Sequence, residues 1–147
     1  SGFFRAKIAQ EKLIRESNLP YTIVHAPQFF EFVKGIADMS TKGNEIYLAP
    51  VLIQPMAAED VATEVGRVSV GAPANGMVEV GGPEKFRLNE LIRLCLKALG
   101  DSREIVIDPN ALYSGARLSE RTLIPEDDAK LGAMRFEEWI AAGNLKK

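Results

Sequence analysis

The spacing of apolar side chains along the chain predicts helices that alternate with strands. Apolar residues recur at helical intervals from Phe3 to Ser17, and the β-branched and aromatic run Tyr21–Ala26 follows without polar alternation. Such a run is typical of a strand covered on both faces, as in a parallel sheet. A helix, a short turn and a buried strand make half of a βαβ crossover, so the pattern predicts an α/β fold.

The rest of the chain continues the same alternation. Its clearest helix runs from Leu88 to Leu99, and Gly100 stands where a C-terminal cap belongs. Acidic residues suit the positive end of a helix dipole, so Glu59 and Asp60 are interpreted as a helix start rather than as a paired acid/base site. The other predicted helices are 29–36 and 136–140, and the other predicted strands are 45–49, 51–56, 77–80 and, as the last, 104–108.

Composition narrows the classes of function. The chain has 147 residues, of which 46% are hydrophobic and 26% charged, as expected for one globular domain. The net charge of −2 leaves no basic surface for nucleic acid, and no apolar run is long enough to span a membrane. A single cysteine and a single histidine, Cys95 and His25, predict neither a disulfide nor a metal site. Together these features predict a cytoplasmic protein, with Cys95 buried in the core.

Two stretches carry candidate chemistry. Phe3 and Lys7 lie four residues apart and therefore on one helical face, although a core aromatic and a lysine covering apolar surface have the same spacing. The turn Ala26–Phe30 follows the carboxyl end of a predicted strand, where open α/β sheets bind ligands. For Phe29 and Phe30, filling the core is the competing interpretation.

Other motifs are interpreted as structural. Gly81–Gly82 lacks the third glycine of a phosphate-binding loop. Four arginines that are scattered along the sequence are predicted to lie on solvated surface: Arg103, Arg117, Arg121 and Arg135.

The order of four motifs resembles one family. The motifs are Gly2–Lys7, Leu19–Val24 continued by Ala26–Phe30, Gln54–Ala62, and Gly82–Glu84 before the Leu88 helix. In this order the chain resembles the C-terminal portion of an NmrA-like, atypical short-chain dehydrogenase/reductase. The resemblance implies the C-terminal part of a Rossmann-like doubly wound sheet (residues 1–44) plus a small α/β substrate-side lobe (45–147). It also implies that the nucleotide-binding half, with its glycine loop, lies upstream of Ser1, so that the 147 residues are a fragment.

The resemblance further implies an NAD(P)H-dependent oxidoreductase, with a quinone-like molecule as the candidate acceptor and NADP or NAD as the cofactor. Lys7 would contact the nicotinamide ribose, and Ala26, Pro27, Gln28, Phe29 and Phe30 would lie beside the nicotinamide. The family's catalytic tyrosine position holds Phe3, which has no proton to give, so no catalytic residue is assigned. His25 stands where many relatives have arginine. The fragment alone is expected not to bind the dinucleotide.

Two other functions fit the same pattern. Loss of the hydroxyl at Phe3 with retention of Lys7 also suits a non-catalytic dinucleotide sensor that binds a protein partner. The chain would alternatively be a complete structural or interaction module. The oxidoreductase is the preferred hypothesis, with a small-molecule substrate and neither nucleic acid nor membrane as partner. An open sheet edge in a fragment predicts self-association, as a homo-oligomer or by strand exchange.

Overall fold

The computed structural model of the protein describes residues 2–17, 23–70, 76–113 and 116–145. Within these ranges the helices are α1 (Gly2–Glu16), a 3₁₀ turn (Phe30–Phe32), α2 (Val33–Met39), α3 (Ala58–Val70), α4 (Leu88–Leu99) and α5 (Phe136–Ala141). The strands are β1 (Ile23–His25), β2 (Thr41–Lys42), β3 (Glu45–Leu48), β4 (Leu52–Ile53), β5 (Met77–Gly81), β6 (Phe86–Arg87), β7 (Glu104–Ile107), β8 (Leu112–Tyr113), β9 (Ala116–Arg117) and β10 (Lys130–Leu131).

The sheet that matters for the site has the order β1-β5-β10, and both pairings are parallel. In the first pairing His25 lies in register with Glu79, and in the second Lys130 lies in register with Val80. The parallel pairing predicted for the first strand is therefore confirmed for Ile23–His25, while Tyr21 and Thr22 lie outside the described residues. Because all three strands run the same way, their carboxyl ends meet at one edge of the sheet.

The remaining strands form smaller units. β3 lies between β2, which is antiparallel to it, and β7, which is parallel to it. β4 pairs with β6 and β8 pairs with β9, both antiparallel. The chain is thus a mixed α/β fold, which confirms the predicted class. The Rossmann-type strand order and the division between residues 44 and 45 stay predictions.

The main core forms around α4. Its buried side chains, among them Leu91, Ile92 and Cys95, repeat at the spacing of one helical face, as the sequence predicts. Gly100 ends the helix with φ 67°, the left-handed conformation that glycine adopts without a Cβ penalty. α4 packs on α2, and the same core includes β3. The β3 side chains Ile46 and Leu48 are buried in it.

The same core contains a cluster of aromatic side chains from the 3₁₀ turn, β6 and α5. The ring of Phe30 lies 5.1 Å from that of Phe136 and 5.7 Å from that of Trp139, measured between centroids. Phe86 meets Phe136 edge-on at 6.2 Å. These distances are typical of favourable aromatic pairs, so the cluster ties α5 to the 3₁₀ turn.

The structure corrects several predicted elements. The predicted helix 29–36 is a 3₁₀ turn followed by α2, and the predicted strand 51–56 pairs only at Leu52–Ile53. The expectation that 104–108 is the last strand is wrong, because β8, β9 and β10 follow it. These strands are two residues long and carry no alternating pattern that a sequence argument can detect. Among the described residues, no helix is both long and apolar enough to cross a membrane.

Candidate functional site

A cavity of about 240 Å³ lies at the carboxyl edge of the parallel sheet. Four parts of the chain line it: Lys7, Ile8 and Glu11 of α1; residues 25–28 at the end of β1 and beyond; Glu79 and Val80 of β5; and residues 122–125. The register of β1 with β5 produces this arrangement, since it sets the ends of both strands side by side. This is the position at which open parallel sheets bind ligands.

The cavity brings together four of the six residues predicted to bind a cofactor. Lys7 reaches it from α1, and Ala26, Pro27 and Gln28 reach it from the turn after β1. Lys7 and the turn are separated in sequence by most of α1 and by β1. Their convergence is therefore a property of the fold and not of sequence proximity.

Phe29 and Phe30 lie outside this lining. The Phe29 ring stacks on Phe32 at 5.8 Å, and its backbone bridges to Met56. Phe30 is 1% exposed and belongs to the aromatic cluster of the core. The core-filling interpretation describes the position of Phe30, and contact of either ring with a cofactor stays a prediction. The side chain of Phe3 lies outside the described part of the structure.

The cavity also contains a cluster of ionisable side chains that the sequence argument did not assign. His25 Nε2 hydrogen-bonds Glu11 Oε1 of α1, and His25 Nδ1 lies 3.9 Å from Glu79 Oε1 of β5. The Glu79 carboxylate is itself anchored, because its Oε2 accepts the backbone N–H of Glu126 at 2.5 Å. All three side chains are partly buried, at 32% exposure for His25, 19% for Glu11 and 26% for Glu79.

The sequence contains only part of the signal for this cluster. No carboxylate stands at ligand spacing around His25, so no local pattern marks this residue as part of a site. The parallel register of His25 with Glu79 supplies one partner, and it follows from strand pairing alone. Glu11 contacts His25 because α1 packs against the end of β1, and no local sequence pattern predicts that packing.

Gln28 contributes an amide at the side of the cavity. Its buried Oε1 accepts no hydrogen bond from the described residues. Its side chain also hydrogen-bonds Tyr113; burial raises the pKa of that phenol, and the hydrogen bond opposes the rise. A buried acceptor without a donor costs about 1–3 kcal/mol.

Two other candidates have structural roles. Asp60 Oδ2 accepts the backbone N–H groups of Ala133 at 3.1 Å and of Met134 at 2.9 Å, so it holds the segment before α5. Gly82 packs against the backbone of Pro55. No group of three or more histidine, cysteine or acidic side chains among the described residues is arranged to hold a metal ion.

Comparison with known proteins does not assign the chain to a family. No protein-family model matches the chain, and no curated protein matches it significantly. The resemblance to NmrA-like reductases therefore rests on the motifs given above and stays a prediction.

Proposed function

We propose that the chain forms the nicotinamide-facing part of an NAD(P)H-dependent oxidoreductase that reduces a quinone-like acceptor. The observation that carries this proposal is the convergence of Lys7 with the turn Ala26–Gln28 around one cavity, at the carboxyl ends of parallel strands. That edge is where a doubly wound sheet holds its dinucleotide.

The groups around the cavity suit the nicotinamide ribose end of the cofactor. The ammonium of Lys7 donates hydrogen bonds in several directions, and ribose hydroxyls accept them. The amide of Gln28 also lines the cavity, and an amide group can pair with the carboxamide of nicotinamide. The walls next to these groups are apolar, from Ile8 and Pro27.

The size of the cavity limits what it holds. At about 240 Å³ it is smaller than the roughly 300–1,000 Å³ of pockets that enclose a drug-sized ligand. In the proposal it therefore takes the nicotinamide and ribose, and the adenosine diphosphate half of the cofactor extends beyond it.

The nature of the acceptor follows from Phe3. Hydride addition to a simple ketone produces an alkoxide, whose conjugate acid is about as weak an acid as water. Hydride addition to a quinone produces a phenolate-like anion, whose conjugate acid has a pKa of about 10. A quinone therefore depends much less on the hydroxyl that Phe3 lacks.

The test is reduced-nicotinamide oxidation by the natural protein that carries this sequence. NADPH or NADH is mixed with a panel of benzoquinones and naphthoquinones, and the loss of reduced-nicotinamide absorbance is followed. Replacing Lys7 by Met should raise the KM for the cofactor about tenfold, since one charged hydrogen bond contributes about 1.5 kcal/mol or more.

The matched control is Lys12→Met. Lys12 lies on the same helix, pairs with Glu16 and is exposed, so this change should leave the KM unaltered. No oxidation with any quinone would overturn the proposed activity. Dinucleotide binding without oxidation would favour the sensor instead.

A further inference from the structure

His25 is held from two sides by carboxylates of different elements. Glu11 belongs to α1 and bonds Nε2, while Glu79 belongs to β5 and lies 3.9 Å from Nδ1. The ring lines the same cavity as Lys7 and Gln28. It is also the single histidine of the chain, so its behaviour can be measured without ambiguity.

The two ring nitrogens have different surroundings. A carboxylate only accepts hydrogen bonds when ionised, so the contact with Glu11 places a proton on Nε2. A distance of 3.9 Å is too long for a hydrogen bond, and the other oxygen of Glu79 is occupied by the Glu126 N–H. Nδ1 is therefore the nitrogen that can exchange a proton with a molecule in the cavity.

The same arrangement occurs in enzymes of nucleophilic and acid–base catalysis, where a carboxylate hydrogen-bonds one nitrogen of a histidine. One carboxylate fixes the tautomer and the ring orientation, and it stabilises the positive charge when the ring carries a second proton. The opposite nitrogen then meets the reacting atom. Glu79 adds a second negative charge 3.9 Å from that nitrogen, beyond hydrogen-bond distance.

We propose that His25 is the proton donor of the reaction, an inference that rests on the proposed function. A bound NAD(P)H would supply the hydride that converts the quinone to a hydroquinone monoanion, and the cofactor would leave as NAD(P)⁺. The Nδ1–H of the His25 imidazolium gives its proton to the anionic oxygen and completes the hydroquinone. The neutral ring keeps its proton on Nε2 against Glu11, and solvent returns a proton to Nδ1. His25 thus supplies the proton that Phe3 cannot.

The kinetic test uses His25→Ala in the natural protein with NADPH and 2-methyl-1,4-naphthoquinone. We expect kcat to fall about 100-fold, the low end of general acid catalysis, because a phenolate-like oxygen needs less help than an alkoxide. The KM for NADPH should change little by comparison, and added imidazole should restore a measurable part of the lost rate. A purely structural residue would give no such rescue.

A second test needs no cofactor. Two-bond ¹H–¹⁵N spectra of the labelled 147-residue chain report which nitrogen of the single imidazole carries the proton in the neutral form. We expect the Nε2–H tautomer, and a mixture of both tautomers in Glu11→Ala. Glu16→Ala is the matched control, since Glu16 lies on the same helix and is exposed, and it should leave the spectrum unchanged.

The outcomes separate the two proposals. An unchanged kcat in His25→Ala, a loss of rate that imidazole does not rescue, or an Nδ1–H tautomer would each overturn the role of His25 and leave the oxidoreductase standing. Absence of turnover in the wild-type protein would overturn the oxidoreductase and, with it, this role for His25.

Discussion

Gly82 packs so closely against Pro55 that a Cβ on Gly82 would lie 1.7 Å from the Pro55 carbonyl oxygen. The contact is held by Gln54, whose Nε2 donates to the Gly82 carbonyl at 2.8 Å and whose own carbonyl accepts the Gly82 N–H at 3.2 Å. The glycine is therefore needed at position 82 because two backbone segments meet there.

Gly82→Ala should destabilise the protein by about 2–3 kcal/mol or more, because the methyl group meets backbone atoms that cannot move aside as a side chain would. Urea unfolding measures the change in free energy. Gly35→Ala is the control: an added Cβ at this exposed position of α2 meets nothing within 4 Å, and it should be neutral or stabilising by about 0.5–1 kcal/mol. Equal stability of wild type and Gly82→Ala would contradict the packing.

The aromatic cluster predicts a sharp contrast between two neighbouring phenylalanines. Phe30 is 1% exposed, whereas Phe32 is 63% exposed. Phe30→Ala should cost about 3–5 kcal/mol by leaving a core cavity, while Phe32→Ala should cost less than about 1 kcal/mol. Because Phe30 lies 5.7 Å from the single tryptophan, Trp139, its loss should also shift the tryptophan emission to longer wavelength. A Phe30→Ala protein with wild-type stability and emission would show that Phe30 is not a core residue.

The elements that sequence reasoning predicted well are those with a strong local signal. α4 combines a continuous apolar face with a capping glycine at position 100. β1 lies within a run of β-branched and aromatic residues that has no polar alternation. Both signals come from residues that are close together in the chain. For the site, the family resemblance implied Lys7 and the turn Ala26–Phe30, and the fold places Lys7 and the Ala26–Gln28 part of that turn around one cavity.

What sequence reasoning missed depends on long-range packing. The pair Glu11 and His25 is fourteen residues apart, and the contact exists only because α1 lies over the end of β1. β10 is two exposed residues that acquire their strand pairing from β5. Arg103 was predicted as solvated surface, and this is wrong: its side chain is 16% exposed and bonds Thr41, Asp38 and Asp101.

Cys95 should be chemically inert in the folded protein. It is fully buried on the core face of α4, and burial raises the pKa of its thiol to about 11. Thiol reagents react with the thiolate. The raised pKa keeps the thiolate fraction low near neutral pH, and the surrounding core residues shield the sulfur from reagents. Titration with a coloured disulfide reagent near pH 8 should therefore detect almost no thiol in the native chain and one thiol per chain in urea. Rapid stoichiometric labelling of the native chain would contradict the buried position.

The ion pairs of Arg103 predict how stability changes in acid. Hydrogen bonds from Lys34 and Arg103 lower the pKa of Asp38, and those from Arg103 lower the pKa of Asp101. Since both pKa values are lower in the folded than in the unfolded chain, the pairs stabilise the fold above the ordinary aspartate pKa of about 3.9. That contribution is lost as the pH falls below this value through the folded-state pKa values.

Arg103→Gln should therefore weaken the fold at neutral pH and reduce the further loss of stability on acidification. Urea unfolding at about pH 6 and about pH 3 measures both effects, because this interval contains the ordinary aspartate pKa. Arg93→Gln is the matched control, since Arg93 pairs with Glu90 on the exposed side of α4, where a surface ion pair contributes little. If Arg103→Gln lost as much stability between the two pH values as the wild type does, the lowered pKa values of Asp38 and Asp101 would not originate from Arg103. The acid sensitivity would then have to arise from other carboxylates of the fold.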